Sequence, residues 1–419
     1  MDDLGGDLHP VLRCLRAREP VSWLPVLGGW LVTRRDLALR VLRDGRTFTV
    51  DDPRFSTARV VGPSMLSLDG AERKRHRDPF AEAFGLAEVK ARLEGFVGAQ
   101  AELLVSGFAA AGRAELRRDL AGPLAVAVVA DVLGLGEMDP RMILSWYDEI
   151  VAAVSALAGQ SGLGAEPQRQ GPQGEHPQGE QPRGEQPRGE HPQGDHPHAR
   201  DLGAGVRAAR AFGMLSESLQ HVIAAAGGES LLAAAAGAGG LRSSEVVSNA
   251  AVLMFGGIET TEGMICNAVL HLLSHPSQMR EVIADRRLAD NAVAESLRLE
   301  PAAAVVDRYA TADLSLADAA IRCGDLVTVS LAGAGRDPAF FPDPDRFDAH
   351  RANARQNLAF AHGPHFCLGA HLARLEAKTA MLTLLRLLPG LRLDPARRQA
   401  PRGVVFRKPS ALHVRWDVH

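Results

Sequence analysis

Residues 360–369 read Phe-Ala-His-Gly-Pro-His-Phe-Cys-Leu-Gly, and they constrain this chain more than any other stretch. Glycine and proline make the segment a loop, and Ala370-His371-Leu372-Ala373-Arg374-Leu375-Glu376 opens a helix directly after it. The loop thus delivers Cys367 to a helix N-terminus, where the dipole and free backbone N–H groups favour a thiolate. A deprotonated, hydrogen-bonded and rigidly held sulfur is what an iron ligand requires. A lone cysteine is more often a small buried hydrophobe, and the chain also has Cys14, Cys266 and Cys323. None of those precedes a helix from a glycine-rich loop, and the four share no metal-finger spacing.

Other motifs lie upstream. In Glu295-Ser296-Leu297-Arg298 the acid and base are at i and i+3, on one helix face, so the carboxylate can accept a forked pair from the guanidinium. An ordinary surface ion pair is the plainer alternative. Gly256-Gly257-Ile258-Glu259-Thr260-Thr261 interrupts a long apolar run from about Val246 to Leu273. Each mid-helix glycine costs about 1 kcal/mol relative to alanine, so helix stability is given up here for close packing, a kink or space beside the backbone. Within residues 69–77, Arg73 and Arg77 are one helical turn apart and share a face, while Lys74, Arg75 and His76 read as a solvated face.

In this order the motifs resemble the cytochromes P450, over nearly the whole chain from about Trp23 to Trp416. On that resemblance Phe360, Gly363, His365, Cys367 and Gly369 occupy matching positions of the haem-ligand loop, and Cys367 is the iron ligand. The family often has a glycine where this chain has Ala361. The implied cofactor is haem b, iron protoporphyrin IX. Glu295 and Arg298 resemble the K-helix pair, completed by an arginine from the following loop: Arg346 fits best, with Arg351 the alternative. These residues position the haem-binding segment and do no chemistry. The glycine-interrupted run resembles the I helix, which loosens over the haem to admit oxygen; Thr260 is then the hydrogen-bonding alcohol and Glu259 the acid of a proton relay. Arg77, Arg308 and His365 match the family's anchors for the haem propionates, and Arg73 stands where a histidine is usual.

The resemblance implies a mainly α-helical fold with a small β subdomain, the cytochrome P450 fold, as a single catalytic domain over residues 1–419. Residues 28–33 read as a hairpin-like strand segment, residues 321–330 alternate as a strand between turn signals, and residues 403–406 and 412–416 look like the last strand pair. It implies a haem-thiolate monooxygenase that inserts one atom of O2 into a hydrophobic small molecule such as a secondary metabolite. No flavin, nicotinamide or iron–sulfur motif is apparent, so an external ferredoxin-type donor with its reductase is expected, docking near Arg374 and Lys378. Two alternatives stay open: a haem-free docking module of this fold, or an enzyme that works without a redox partner by peroxide-driven oxidation or isomerisation. Retention of Cys367, His365, Arg308 and Arg77 speaks against the first, and the Glu259–Thr260 pair against the second.

Composition agrees. A chain of 419 residues that is 46 % hydrophobic has ample material for a core, and a net charge of −3 gives no bias towards nucleic acid or anionic membranes. Cysteines without pairing spacings indicate a reducing compartment, and the N-terminus lacks the basic and apolar regions of a secretory signal or anchor. A cytoplasmic monomer of the soluble bacterial type is expected. The pocket wall is expected from residues 60–66, Met254, Gly257, residues 303–306 including Ala304 and Val305, and Val404 with Val405; these small apolar residues equally suit core packing. Residues 174–198 repeat every five as Gly-Glu-His-Pro-Gln and variants, within a low-complexity insert, 167–199, predicted to be disordered. By the resemblance it falls in the F–G region, between the helix holding Trp146-Tyr147-Asp148 and the one containing residues 206–226.

Overall fold

The apolar run with two glycines becomes a helix of 31 residues, Ser243–Leu273, about 46 Å long at 1.5 Å per residue. The computed structural model describes residues 6–149 except 137, 141 and 148, residues 197–225, and residues 231–418. In chain order its main helices are α1 (His9–Arg18), α2 (Arg35–Arg43), α3 (Gly70–Ala81), α4 (Glu94–Phe108), α5 (Gly122–Leu133), α6 (Pro197–Ala225), α7 (Ser243–Leu273), α8 (Ala289–Leu299) and α9 (Ala370–Leu387). The insert predicted over 167–199 lies outside the described residues except for 197–199, which begin α6.

α7 starts where Glu245 reaches back to accept the Arg242 backbone N–H (2.8 Å), and it is buried along most of its length against α5, α8 and α9. Its buried asparagines tie it to neighbouring segments: Asn249 Oδ1 accepts the Met65 N–H, and Asn267 Nδ2 donates to the Glu300 and Arg407 carbonyls, although Asn267 Oδ1 has no partner. α5 is almost wholly apolar and stops at Gly134, which takes the left-handed conformation at φ +73°. Each leucine or valine so buried contributes about 2 kcal/mol of transfer free energy.

The strands form a minor part. β1 (Val21–Leu24) and β2 (Gly29–Val32) make a hairpin, as the sequence indicates. With β3 (Phe48–Thr49), β5 (Val305–Ala310) and β8 (Leu326–Ser330) they form a sheet of order β1-β2-β8-β5-β3, parallel only between β2 and β8. β4 (Arg113–Glu115), β10 (His413–Arg415) and β9 (Arg392–Leu393) form a second sheet, and β6 (Leu314–Leu316) pairs with β7 (Ala319–Ile321).

Two strand expectations need correction. Residues 321–330 alternate like one strand, but a turn through Gly324 at φ +85° divides them into β7 and β8. Residues 403–406 do not pair with 412–416: β10 takes β4 and β9 as neighbours, and the 403–406 segment makes only an isolated bridge, Phe406 to Ala303.

Candidate active site

A cavity of about 300 Å³ opens between α5, α7, the start of β5 and the loop ahead of α9. That loop is fixed by its backbone. Gly363 adopts φ +70°, and a Cβ there would meet the Leu42 carbonyl oxygen at 2.4 Å, so only glycine fits. Ala361, standing where relatives often carry glycine, is also left-handed at φ +57°, a conformation that strains any residue with a side chain. The Cys367 N–H donates to the Phe360 carbonyl (3.0 Å), closing the loop.

Cys367 is surrounded by protein on every side but opens onto the cavity, so its exposure is to the cavity. Burial pushes its thiol up from the ordinary value; the Gly369 N–H and the nearby Arg77 and Arg374 guanidinium groups pull the other way. The sulfur therefore has a donor and two positive charges arranged for a thiolate, with burial as the opposing cost. Arg374 lies over the Phe360 ring at 4.3 Å and Lys378 pairs with Asp290 at 2.9 Å, so neither is a free surface cation.

Behind the loop, Glu295 and Arg298 are fully buried and form the forked pair, at 2.7 and 2.8 Å. The third partner is Arg351, whose Nε donates to Glu295 Oε1 at 2.9 Å. Arg346, favoured from sequence, is corrected to a backbone role: its carbonyl accepts from both Arg298 and Arg351, while its side chain is exposed. The next residue, Phe347, is buried, and the turn sends Arg346 outward as it sends Phe347 inward. Gly335 closes the cluster: its carbonyl accepts from Arg298, and a Cβ there would stand 2.2 Å from the Arg298 carbonyl oxygen.

The four proposed anchors for the haem carboxylates are only partly gathered at the cavity. Arg77 and His365 line it, and Arg77 also donates to the Phe366 carbonyl at 2.8 Å. His365 Nε2 pairs with Asp69 Oδ1 at 2.7 Å; burial lowers the imidazole's proton affinity and Asp69 opposes that. Thr49 Oγ1 and the Val50 N–H also donate to Asp69, and these bonds with His365 hold its carboxyl well below the usual range despite burial. Arg308 is buried beside Asp69 and brought down to about 10 by that burial. Arg73 has a buried Nε without a partner, so this region holds more cationic donor capacity than the chain itself uses. Of the neighbours read as a solvated face, His76 is buried against Asn249 and Arg75 pairs with Glu245.

On α7 the two glycines do different jobs. A Cβ at Gly257 would meet Val129 Cγ2 at 2.6 Å, so that glycine permits α5 to pack, whereas a Cβ at Gly256 meets nothing within 4 Å. Thr260 lines the cavity and turns its Oγ1 back to the Gly256 carbonyl at 2.5 Å. Glu259 does not line it: its carboxylate accepts the Tyr147 hydroxyl and pairs with Lys408 Nζ at 2.7 Å.

Of the residues expected to wall the pocket, Met65, Leu66, Gly257, Ala303 and Val306 line the cavity, whereas Met254, Ala304, Val305, Val404 and Val405 do not. On α7 the cavity is lined by Val252, Leu253, Phe255, Gly256, Gly257, Thr260, Thr261 and Met264, while Met254 is buried and does not line it. Ala304 belongs to a separate apolar cluster with Leu8, Leu12 and Leu31. Val305 and Val306 alternate on β5, and Val306 takes the cavity side. Val404 and Val405 are exposed, and the Val405 carbonyl accepts the Ala304 N–H. Val129 and Val132 of α5, not expected from the sequence, complete the walls beside Met65 and Leu66.

Sequence reasoning missed Glu376, Lys408 and Tyr147. Glu376 is fully buried, lines the cavity and leaves Oε2 unpartnered; burial drives its carboxyl well above the usual range. Its signal was available, because an acid falls on the helical stripe of Gly369, Leu372, Ala373 and Ala380. Lys408 and Tyr147 had no local signal.

The fold agrees with comparisons to known proteins. The Cytochrome P450 family model matches residues 228–388. The chain is 31 % identical to the cytochrome P450 monooxygenase PikC of Streptomyces venezuelae, over 99 % of this chain and 92 % of that protein. It is also 31 % identical to the mycinamicin IV hydroxylase/epoxidase of Micromonospora griseorubida, over 96 % and 94 %. The crystal structure of CalO2 superposes with a TM-score of 0.82 at 26 % identity, covering 100 % of this chain and 98 % of that one. The chain belongs to the cytochrome P450 family, whose fold it has. It is a P450 monooxygenase, an oxidoreductase that binds haem iron. Among the described residues no helix is long and apolar enough to cross a membrane.

The residues fit that cofactor. The cavity is walled by apolar side chains, a thiol opens into it beside two arginines, and a cationic edge with an unsatisfied arginine donor suits two buried carboxylates.

Proposed function

We propose that this enzyme inserts one oxygen atom from O2 into a hydrophobic small molecule of secondary metabolism, with Cys367 as the ligand of a haem b. The observation that carries the reading is that the Cys367 thiol and the Thr260 face of α7 open onto the same apolar cavity. Arg77 and His365, with Arg308 and Arg73 behind them, would hold the propionates. Haem supplies the oxygen-activating chemistry, and a thiolate ligand donates electron density that favours O–O cleavage.

The chain's own residues bind, exclude water and carry protons. Met65, Leu66, Val129 and Val306 offer an apolar wall, which supports a hydrophobic substrate. The Thr260 hydroxyl, bonded to the Gly256 carbonyl, offers its own oxygen to a donor in the cavity, and the adjacent Glu259 is the acid that resupplies it. Two electrons come from a ferredoxin-type protein and its reductase, docking on the face nearest Cys367. Residues 1–419 act as one catalytic domain, as a monomer in the cytoplasm; the near end-to-end match to two bacterial relatives supports the single domain.

The test is the carbon monoxide difference spectrum of the reduced protein. A strongly red-shifted, thiolate-type Soret band is expected, and it disappears in Cys367→Ala. A protein purified without haem, or a histidine-type band, overturns the assignment.

A further inference from the structure

Among the described residues, Lys408 is the one that touches the acid next to Thr260 and also a second carboxylate one turn away on the same helix. Its Nζ lies 2.7 Å from Glu259 Oε1 and 2.8 Å from Glu262 Oε1, and all three side chains are largely buried. The ammonium is nonetheless off the line of a good hydrogen bond to either carboxylate, so charge and not aligned bonding holds it. Each carboxylate has a second partner. Glu262 also accepts from Arg117 Nε, which is anchored in turn through Nη1 to the Ser410 carbonyl. Glu259 accepts the Tyr147 hydroxyl.

We propose that Lys408 is a positioning residue for the relay acid: it keeps Glu259 turned away from the cavity at rest, and Glu262 allows it to let go. This rests on the reading of Glu259 as the relay acid. For Glu259 to serve Thr260 its carboxylate must leave Lys408. Leaving a buried ammonium without a partner carries a large penalty. Glu262 removes that penalty, because Lys408 remains paired when Glu259 swings out. Two carboxylates facing two cations, Lys408 and Arg117, keep the cluster neutral before the movement. Glu262 therefore sets how easily Glu259 moves without touching the cavity.

The arrangement makes two substitutions act in opposite directions. In Glu262→Gln, Glu259 is the anion left to Lys408 among the described residues and is held more tightly. In Lys408→Met, Glu259 is released. The experiment uses the haem-loaded full chain with a surrogate plant-type ferredoxin and reductase, and reads O2 consumption in H2O and D2O without organic substrate. Glu262→Gln is expected to slow O2 consumption about tenfold and enlarge the solvent isotope effect. Lys408→Met is expected to shrink the isotope effect, and Lys408→Arg to restore the wild-type value. Isotope effects that move in the same direction, or stay at wild type while only the melting temperature falls, overturn the proposal.

A second readout does not depend on turnover. The chain has two tyrosines, Tyr147 and Tyr309, so 3-fluorotyrosine labelling gives two fluorine resonances, assigned with Tyr147→Phe. The Tyr147 resonance should move in both Lys408→Met and Glu262→Gln while that of Tyr309 stays; an unmoved Tyr147 resonance counts against the coupling. Glu259→Gln separates the two levels of inference. If it leaves rate and isotope effect at wild type, Glu259 is not the relay acid and the underlying reading fails, although the fluorine shifts still report the ion pair. If Glu259→Gln changes both and the Lys408 and Glu262 variants change neither, only the present proposal fails.

Discussion

The charges around Arg298 and those around Lys408 are both buried, yet they are bonded to very different degrees. Arg298 donates to both oxygens of Glu295 and to three backbone carbonyls, and Arg351 and the Asp348 N–H saturate the carboxylate further. Lys408 sits between two carboxylates with a good hydrogen bond to neither. A saturated cluster has one arrangement and fixes the chain behind the haem loop. An under-bonded one has alternatives close in energy, which suits a group that must move during a reaction.

The largest expected effect tests the saturated side. Arg298→Met leaves Glu295 as a buried charge missing its main partner, and should cost about 3–5 kcal/mol in urea unfolding, enough to impair haem retention. Lys408→Met should cost only about 1 kcal/mol in the same measurement, since Glu262 keeps Arg117. Equal losses would erase the contrast between the clusters.

The two glycines of α7 give the next contrast. Gly257→Ala drives a methyl into Val129 and should destabilise by about 1–3 kcal/mol. Gly256→Ala meets no atom and should stabilise the helix by up to about 1 kcal/mol while narrowing the cavity. Thermal melts of both, read beside the spin-state response to a panel of hydrophobic ligands, distinguish packing from space-making.

Two carboxyls, the buried Glu376 and the half-buried Asp69, should give pH effects of opposite sign. Glu376 keeps its proton when folded, whereas the unfolded chain loses it above the ordinary value of 4.5, so its contribution falls as pH rises through that value and beyond. Glu376→Gln should flatten that decline and raise the melting temperature at pH 8 relative to wild type. Asp69 is held below its ordinary value of 3.8, so its contribution is present above that pH and is lost as pH falls below it. Asp69→Asn should remove this acid-side loss while lowering stability at neutral pH. A melting-temperature profile from pH 3 to 8 checks both signs.

The smallest effect concerns the loop itself. Ala361→Gly relieves a left-handed alanine at the expense of added freedom in the unfolded chain, and a net gain within about 1 kcal/mol is expected. Arg346→Ala should change stability by less than about 0.5 kcal/mol, because the residue works through its carbonyl.

What was readable in the sequence was whatever local spacing encodes. The Cys367 loop, the Glu295–Arg298 fork, the paired glycines of α7 and the β1–β2 hairpin are patterns within a few residues of one another. The choice between Arg346 and Arg351 was not readable, because it depends on which side of a turn faces Glu295, and both lie within reach along the chain. Part of the expected pocket wall was misplaced for a similar reason. Met254, Val305 and Val405 have the right composition, and only the phase of a helix, a strand and a loop decides which face meets the cavity.

By itself, then, the sequence determined the family, the iron-ligand candidate and the helices that carry the chemistry, because apolar periodicity and glycine placement act through local backbone geometry. Only the tertiary structure decided which charges meet. Lys408 lies far along the chain from Glu259, as Asp69 does from His365 and Arg351 from Glu295. Such pairings arise when whole elements dock and bury their charged groups together, since a buried charge must find a counter-charge wherever the packing supplies one.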